Sequence, residues 1–252
     1  MEEKNPIQVA DRIFAVLERL AQKGAVGLIE LSKELKLNKS TVHRLLNSLM
    51  YMGYVKQDED TLKYELTYKI CRVANNLMNQ VDLIQIAKPY LKELSRKTGE
   101  TVHLVEREGN MAVYIDKVEN STNAVRLVSK VGKNIPLYCS GVGKAMMAEM
   151  PEEKVREIWS QSEIISYTDM TISSIEELLE QLEVVRQKGY AIDDEENEIG
   201  VRCVAIALPD IDGKNRYAIS ISAPEIRMTD EKIEICAKAL KEAKRKIKQA
   251  WS

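Results

Sequence analysis

Three groups of side chains in this sequence have types and spacings that could do chemistry. The first is Lys39, Ser40, Thr41, His43, Arg44 and Asn47, within LNKSTVHRLLNSL. Val42, Leu45, Leu46 and Leu49 recur there at i, i+3, i+4 and i+7, which makes a helix with one apolar face. The polar set lies on the other face, short and rich in donors, and suits contact with base edges and phosphates. Asn38 is placed to cap this helix through its side-chain oxygen, with Thr41 three residues on. The second group is Pro136 to Lys144, PLYCSGVGK, a loop running into a helix N-terminus capped by Ser140. Unpaired backbone donors and the helix dipole favour an anion there, and a carboxylate is the natural guest. GVGK resembles a phosphate loop, but Tyr138 stands where the first glycine is required and Ala145 follows the lysine, which excludes nucleotide binding. The third group is Cys203, His103 and Asp193, which could be drawn as nucleophile, base and orienting acid, or as metal ligands. Nothing in the sequence places them together.

The elements that must position these groups follow from periodicity. Residues 28–66 read as two short amphipathic helices around a tight turn (about 28–49), then a β-hairpin over 54–57 and 62–66 with Asp58-Glu59-Asp60 at its tip. That is the pattern of a winged helix-turn-helix. A preceding helix opens at Pro6 with Ile7, Ala10, Ile13, Phe14, Leu17 and Leu20 as its buried stripe, and ends at Gly24 and Gly27. A helix from Tyr68 to Val81, with Ile70, Val73, Ala74, Leu77 and Met78 on one side, serves as linker. It leads into a helix over 83–97. After Gly99 the period changes to two. Strands are expected at 101–107, 111–118, 125–130, 190–193, 201–208 and 216–222, and helices at 141–150, 152–160, 174–188 and 229–249. The expected division is a DNA-binding domain at 5–67, a linker at 68–82 and an α+β domain at 83–252.

Composition narrows the class. Of 252 residues, 44% are hydrophobic and 30% charged, as in a globular protein with ample core, and the net charge of −2 does not announce nucleic-acid binding. Local charge says more: residues 32–48 carry Lys33, Lys36, Lys39 and Arg44 against Glu34 alone. The acidic wing tip leaves Lys56 or Lys63 for any phosphate contact by the wing. Four scattered cysteines without a CxxC pair argue against a zinc ribbon or a disulfide framework and for a reducing cytoplasm. No apolar run suits a membrane span and no signal peptide opens the chain. No cofactor or metal is expected.

Four stretches together resemble the IclR family of bacterial transcription regulators: LNKSTVHRLLNSL, TGETVHL, IPLYCSGVGKAMMAEM and GYAIDDEENEIGVRCVAIALPD. The resemblance runs nearly end to end. It implies a small-molecule-sensing C-terminal domain related to GAF and PAS folds, and homodimers formed through the N-terminal and linker regions, often paired into tetramers. It carries DNA contacts onto Ser40, Thr41 and Arg44, with His43 and Asn47 beside them, and implies repression of a catabolic operon relieved by a metabolite. Matched residue by residue, the effector pocket would comprise Leu127, Ile135, Gly141, Val142, Asp193, Val201, Cys203, Ser220 and Ser222. Those residues suit a small hydroxy- or oxo-acid, with Asp193 accepting from a ligand hydroxyl. Ala207-Leu208 departs from the Ala-Pro that many members carry. The competing reading is a cysteine- or metal-dependent enzyme fused to a helix-turn-helix. A third is an adaptor whose helix-turn-helix binds protein.

Overall fold

The computed structural model describes residues 5–78, 82–120, 128–210 and 213–251. Contacts divide the chain into two compact units, Met1–Gln80 and Val81–Ser252.

The first unit contains α1 (Gln8–Lys23), α2 (Leu28–Glu34), α3 (Lys39–Tyr51), β1 (Val55–Gln57), β2 (Tyr64–Leu66) and α4 (Lys69–Met78). Its core gathers Val16 and Leu20 of α1, Leu31 of α2, and Val42, Leu45, Leu46 and Leu49 of α3, against Val26, Val55 and Tyr64. Burying such side chains contributes about 1.5–3 kcal/mol each, which fixes the angle at which α3 is held. Between α2 and α3, Ser32 Oγ donates to the Leu37 carbonyl at 2.6 Å, and Lys36 takes the left-handed conformation at φ 53°. The α1 stripe differs from expectation. Ile7 and Phe14 are 63% and 61% exposed, whereas Val16 and Leu20 are buried. At 100° per residue, Ile7 and Phe14 sit roughly 150° around the helix from that pair, outside the arc that one packed neighbour can cover. The linker helix is described over Lys69–Met78, and residues 79–81 of the expected linker lie outside the described residues. Its Ile70, Val73 and Ala74 are exposed.

The second unit opens with α5 (Asp82–Thr98) and closes with α9 (Asp230–Trp251). Between them lie β3 (Thr101–Glu108), β4 (Met111–Val118), β5 (Asn134–Pro136), α6 (Gly141–Met147), α7 (Glu152–Ser160), α8 (Ile175–Lys188), β6 (Ala191–Asp194), β7 (Val201–Leu208) and β8 (Tyr217–Pro224). The strands form one antiparallel sheet in the order β5-β4-β3-β8-β7-β6. One face of this sheet carries α5 and α9, and the other carries α6 with α8 and α7 outside it. Alternation along β7 makes both faces. Cys203, Ala205 and Ala207 join the core under α6, and Val204, Ile206 and Leu208 are buried away from it. The residues under α6 are small, which brings that helix close to the sheet. Of the strand expected at 125–130, residues 125–127 lie outside the described residues and 128–130 are not strand. Instead a turn through Gly132, at φ 85°, delivers Asn134–Pro136 to the edge of β4.

Candidate DNA interface and ligand cleft

On α3, Lys39, Ser40, His43, Arg44 and Asn47 are exposed and Thr41 is half-buried. The buried face fixes the rotation of the helix, so these six residues form one outward surface. Asn47 Nδ2 lies 3.4 Å from His43 Nδ1, one turn away. The expected cap is absent: Asn38 has extended backbone (φ −65°, ψ 144°) but its side chain makes no capping bond. The first-turn N–H groups of α3 therefore lack that acceptor. On the wing, Asp58 accepts from both the Thr61 N–H and hydroxyl at 2.7 Å, and these bonds hold its carboxyl below the usual range. Lys56 pairs with Glu65 at 2.8 Å, which leaves Lys63 as the wing's better placed cation.

In the second unit, the structure brings Ile135, Gly141, Val142, Asp193, Val201, Cys203, Ser220 and Ser222 around a single cleft of about 40 Å³. Leu127 lies outside the described residues. The cleft sits between the α6 N-terminus and the sheet. Ser140 caps α6 as expected, accepting from the Gly143 N–H at 3.2 Å and donating to the Pro136 carbonyl at 2.6 Å. Among the described residues no backbone acceptor meets the Gly141 or Val142 N–H. Both serines, which alternation alone could have left half-exposed, are buried and face inward.

His103, Tyr114, Ser129, Asn197 and Glu198 also line this cleft and were not assigned to it from sequence. His103 enters because β3 lies beside β8, which sets it opposite Ser220. Its Nε2 lies 2.8 Å from Ser129 Oγ, and its Nδ1 lies 3.4 and 3.5 Å from the Ser220 and Ser222 hydroxyls. Tyr114 enters through a bulge. Leu104 pairs with Asp116 and Val105 with Tyr114, so Ile115 is an extra residue that reverses the facing of the strand beyond it. Tyr114 thus joins the cleft side, its ring 4.9 Å from that of His103, while Asp116 turns to Lys88 of α5.

The electrostatics are those of a largely neutral site. Burial, with Lys117 nearby, holds the His103 imidazole down at about 3, so it is uncharged at pH 7. Burial pushes the Cys203 thiol up to about 12 and raises Tyr114. Burial, with Glu196 alongside, brings Asp193 up to about 7 against the pull of Lys144 and the Glu196 and Asn197 N–H groups. Below the cleft, Lys144 is ion-paired with Glu196 and donates to Gln181 Oε1 at 2.7 Å, and both partners of the pair are buried. Burial outweighs Lys144 and raises Glu196. The Thr168 and Thr171 hydroxyls donate to the Glu195 and Glu196 carbonyls at 2.7 and 2.6 Å, so the 195–198 wall is anchored from outside as well.

Cys203, His103 and Asp193 therefore do meet in one cleft. Yet a thiol near 12 and an imidazole near 3 supply neither thiolate nor general base at neutral pH. Nor do any three His, Cys, Asp or Glu side chains among the described residues group as metal ligands.

Two family models match the chain: an IclR helix-turn-helix domain over residues 9–59, and the C-terminal domain of bacterial transcriptional regulator IclR over residues 75–249. The chain belongs to the IclR family of bacterial transcriptional regulators. It is 36% identical to the HTH-type transcriptional regulator KdgR of Escherichia coli K12 over 247 residues, 97% of this chain and 94% of that protein. It is 33% identical to the transcriptional repressor IclR of the same organism, covering 94% of this chain and 88% of that one. The crystal structure of the Thermotoga maritima IclR superposes with a TM-score of 0.84 at 32% identity, covering 95% and 97% of the two chains. The chain is thus a transcriptional regulator with an IclR-type helix-turn-helix and an IclR-type C-terminal domain. Among the described residues, no helix is long and apolar enough to cross a membrane.

Proposed function

We propose that this regulator is a homodimeric cytoplasmic repressor whose hold on a roughly palindromic operator is released by a small carboxylate bound in the Gly141–Ser222 cleft, without turnover. The observation that carries the reading is the cleft itself. The Gly141 and Val142 N–H groups face neutral, hydrogen-bonding His103, Ser220 and Ser222, and Asp193 near 7 can donate as well as accept. Residues 5–67 act as the DNA-binding domain, 68–82 as linker and 83–252 as effector domain. Lys39, Ser40, Thr41, His43, Arg44 and Asn47 meet the operator, and a phosphate fills the uncapped N-terminus of α3. Exposed Ile7 at the N-cap of α1, Val9 and Phe14 on α1, and Ile70 and Val73 on α4 supply apolar surface for the second protomer, and pairs of dimers can associate further. Twofold symmetry then sets half-sites about one helical turn apart or a multiple of it. Repression of a catabolic operon accords with the repressor named among its relatives.

The test is fluorescence anisotropy with a labelled duplex from the protein's own upstream region. Operator affinity should fall steeply with salt, as phosphate neutralisation demands, and should fall again at saturating pyruvate, glyoxylate or a sugar acid. Binding that ignores salt would dismiss the α3 surface. Operator binding indifferent to every acid in such a panel would dismiss the effector assignment.

A further inference from the structure

We infer that Tyr51 is a further operator contact, its phenol holding a backbone phosphate at the edge of each half-site; this rests on the α3 surface proposed above. Tyr51 is the last residue of α3 and is 94% exposed. A lone exposed aromatic means little, but its place on the helix means more. At 100° per residue it falls about 170° from the centre of the face formed by Val42, Leu45, Leu46 and Leu49, between Arg44 and Asn47. Ser40, Arg44, Asn47 and Tyr51 follow one another at steps of four, three and four residues, so they make one column down the outward side.

The length of that column decides what Tyr51 meets. Helix rise puts it about 16 Å along the axis from Ser40. A recognition helix reads bases with its N-terminal residues, in a major groove about 12 Å wide. With Ser40 and Arg44 at the base edges, Tyr51 lies level with the flanking sugar-phosphate chain. There its hydroxyl can donate to a phosphate oxygen and its ring can pack on deoxyribose. The local charge admits a phosphate, because residues 35–57 contain no Asp or Glu. The C-terminal end of a helix normally repels an anion through its dipole. Here Lys69 Nζ donates to the Met52 carbonyl at 2.5 Å and sits 4.6 Å from the centre of the Tyr54 ring. The Thr67 hydroxyl donates to the Gly53 carbonyl at 2.6 Å. The end of α3 thus carries a cation where its dipole alone would leave negative charge.

The experiment is fluorescence anisotropy of the full-length protein on a labelled duplex from its own upstream region, with Tyr51→Phe, Tyr51→Ala and Arg44→Ala. Two α3 helices related by a twofold lose two hydrogen bonds in Tyr51→Phe, so operator affinity should fall at least about fivefold, and further in Tyr51→Ala. The phenol is neutral, so the slope of log affinity against log salt should not change. A phosphate carries no base identity, so a scrambled duplex should lose affinity by the same factor to within about twofold. Methylphosphonate substitution, one phosphate at a time across the half-site flanks, should find a position whose effect disappears in Tyr51→Phe. Melting temperatures serve as the folding control. Full affinity in both Tyr51 variants beside a weakened Arg44→Ala, or no coupled phosphate, refutes the Tyr51 contact alone. Full affinity in all three variants dismisses the α3 surface, and Tyr51 falls with it. A loss confined to the operator would make Tyr51 a reader of bases, and a loss accompanied by dimer dissociation in sedimentation equilibrium would place it against the second protomer; either overturns the assignment.

Discussion

Replacing Gly143 by alanine tests the packing that creates the cleft. A Cβ built on Gly143 would lie 2.1 Å from the Leu137 carbonyl oxygen, 2.3 Å from its Cα and 2.5 Å from its carbonyl carbon. Ordinary contact begins near 3.4 Å, so the Leu137 backbone would have to retreat by about 1 Å. No rotamer change can relieve this, because the obstructing atoms are main chain. Leu137 is itself fully buried, its N–H donates to the Asn110 carbonyl at 3.3 Å, and the adjoining Pro136 carbonyl holds the Ser140 cap. The displacement would therefore reach the sheet edge and the α6 N-terminus together. Overpacking typically costs about 1–3 kcal/mol, and a main-chain clash belongs at or above the upper end. The gain from removing a helical glycine, about 0.4–1 kcal/mol, offsets only part of it. A net loss of about 2 kcal/mol in a domain of this size lowers the melting temperature by roughly 4–8 °C.

Gly141→Ala is the internal control. Its Cβ would meet the Asp193 nitrogen and Cys203 sulfur at 3.4 Å and Ala205 Cβ at 3.5 Å, which is ordinary contact. Its stability should match that of the unsubstituted protein to within about 0.5 kcal/mol. The chain has two tryptophans, Trp159 and Trp251, both in the second unit, so tryptophan fluorescence during urea or thermal unfolding follows that unit selectively. A Gly143→Ala protein that unfolds with the unsubstituted one, or a Gly141→Ala protein that loses as much, would refute the close approach of α6 to Leu137.

Gly141→Leu should leave operator affinity unchanged and abolish the effector response, because a branched side chain there fills the cleft; a normal response in the anisotropy assay would move the site elsewhere. Arg44→Ala should leave the exposed α3 surface folded yet weaken operator binding by about 1–3 kcal/mol, read by anisotropy at fixed salt, and unchanged affinity would show the helix face misread. Lys144→Met should cost about 3–5 kcal/mol by stranding buried Glu196, while Lys144→Met with Glu196→Leu should recover much of it; equal losses in both variants would show that the pair is not what matters. Asp193, with a folded pKa raised from 3.8 to about 7, holds a proton that the unfolded chain releases, so stability should decline as pH rises from about 4 to about 7. Asp193→Asn should flatten that decline by up to a few kcal/mol, measured as urea midpoint against pH, and an identical slope in both proteins would place the titration elsewhere.

What the sequence showed and what it hid divide along a physical line. Local periodicity determined α3, because Val42, Leu45, Leu46 and Leu49 need only one another's spacing to define the buried face, and all four are buried. It determined the Ser140 cap for the same reason. It failed for α1, where the apolar residues span two arcs and only the one meeting the core could be buried within a single chain. It failed at Asn38, since residue type permits a capping bond but does not compel the rotamer that makes it.

The cleft was hidden more deeply. Its polar floor depends on β3 lying beside β8, a pairing between residues 101–106 and 217–222 that no local pattern encodes. Only that register converts His103 from an isolated histidine into the partner of Ser220 and Ser222. Tyr114 depends on one bulged residue. Without Ile115 as the extra residue, strict alternation would carry Asp116 to the same face as Tyr114 and add a carboxylate to the face that already carries Asp193 and Glu198. The bulge sends that charge to Lys88 on the opposite face. With Asp116 turned away, Asp193, raised to about 7, and Glu198 are the carboxylates of the cleft beside an uncharged His103, and in the proposed reading an anionic head group meets one repelling charge fewer.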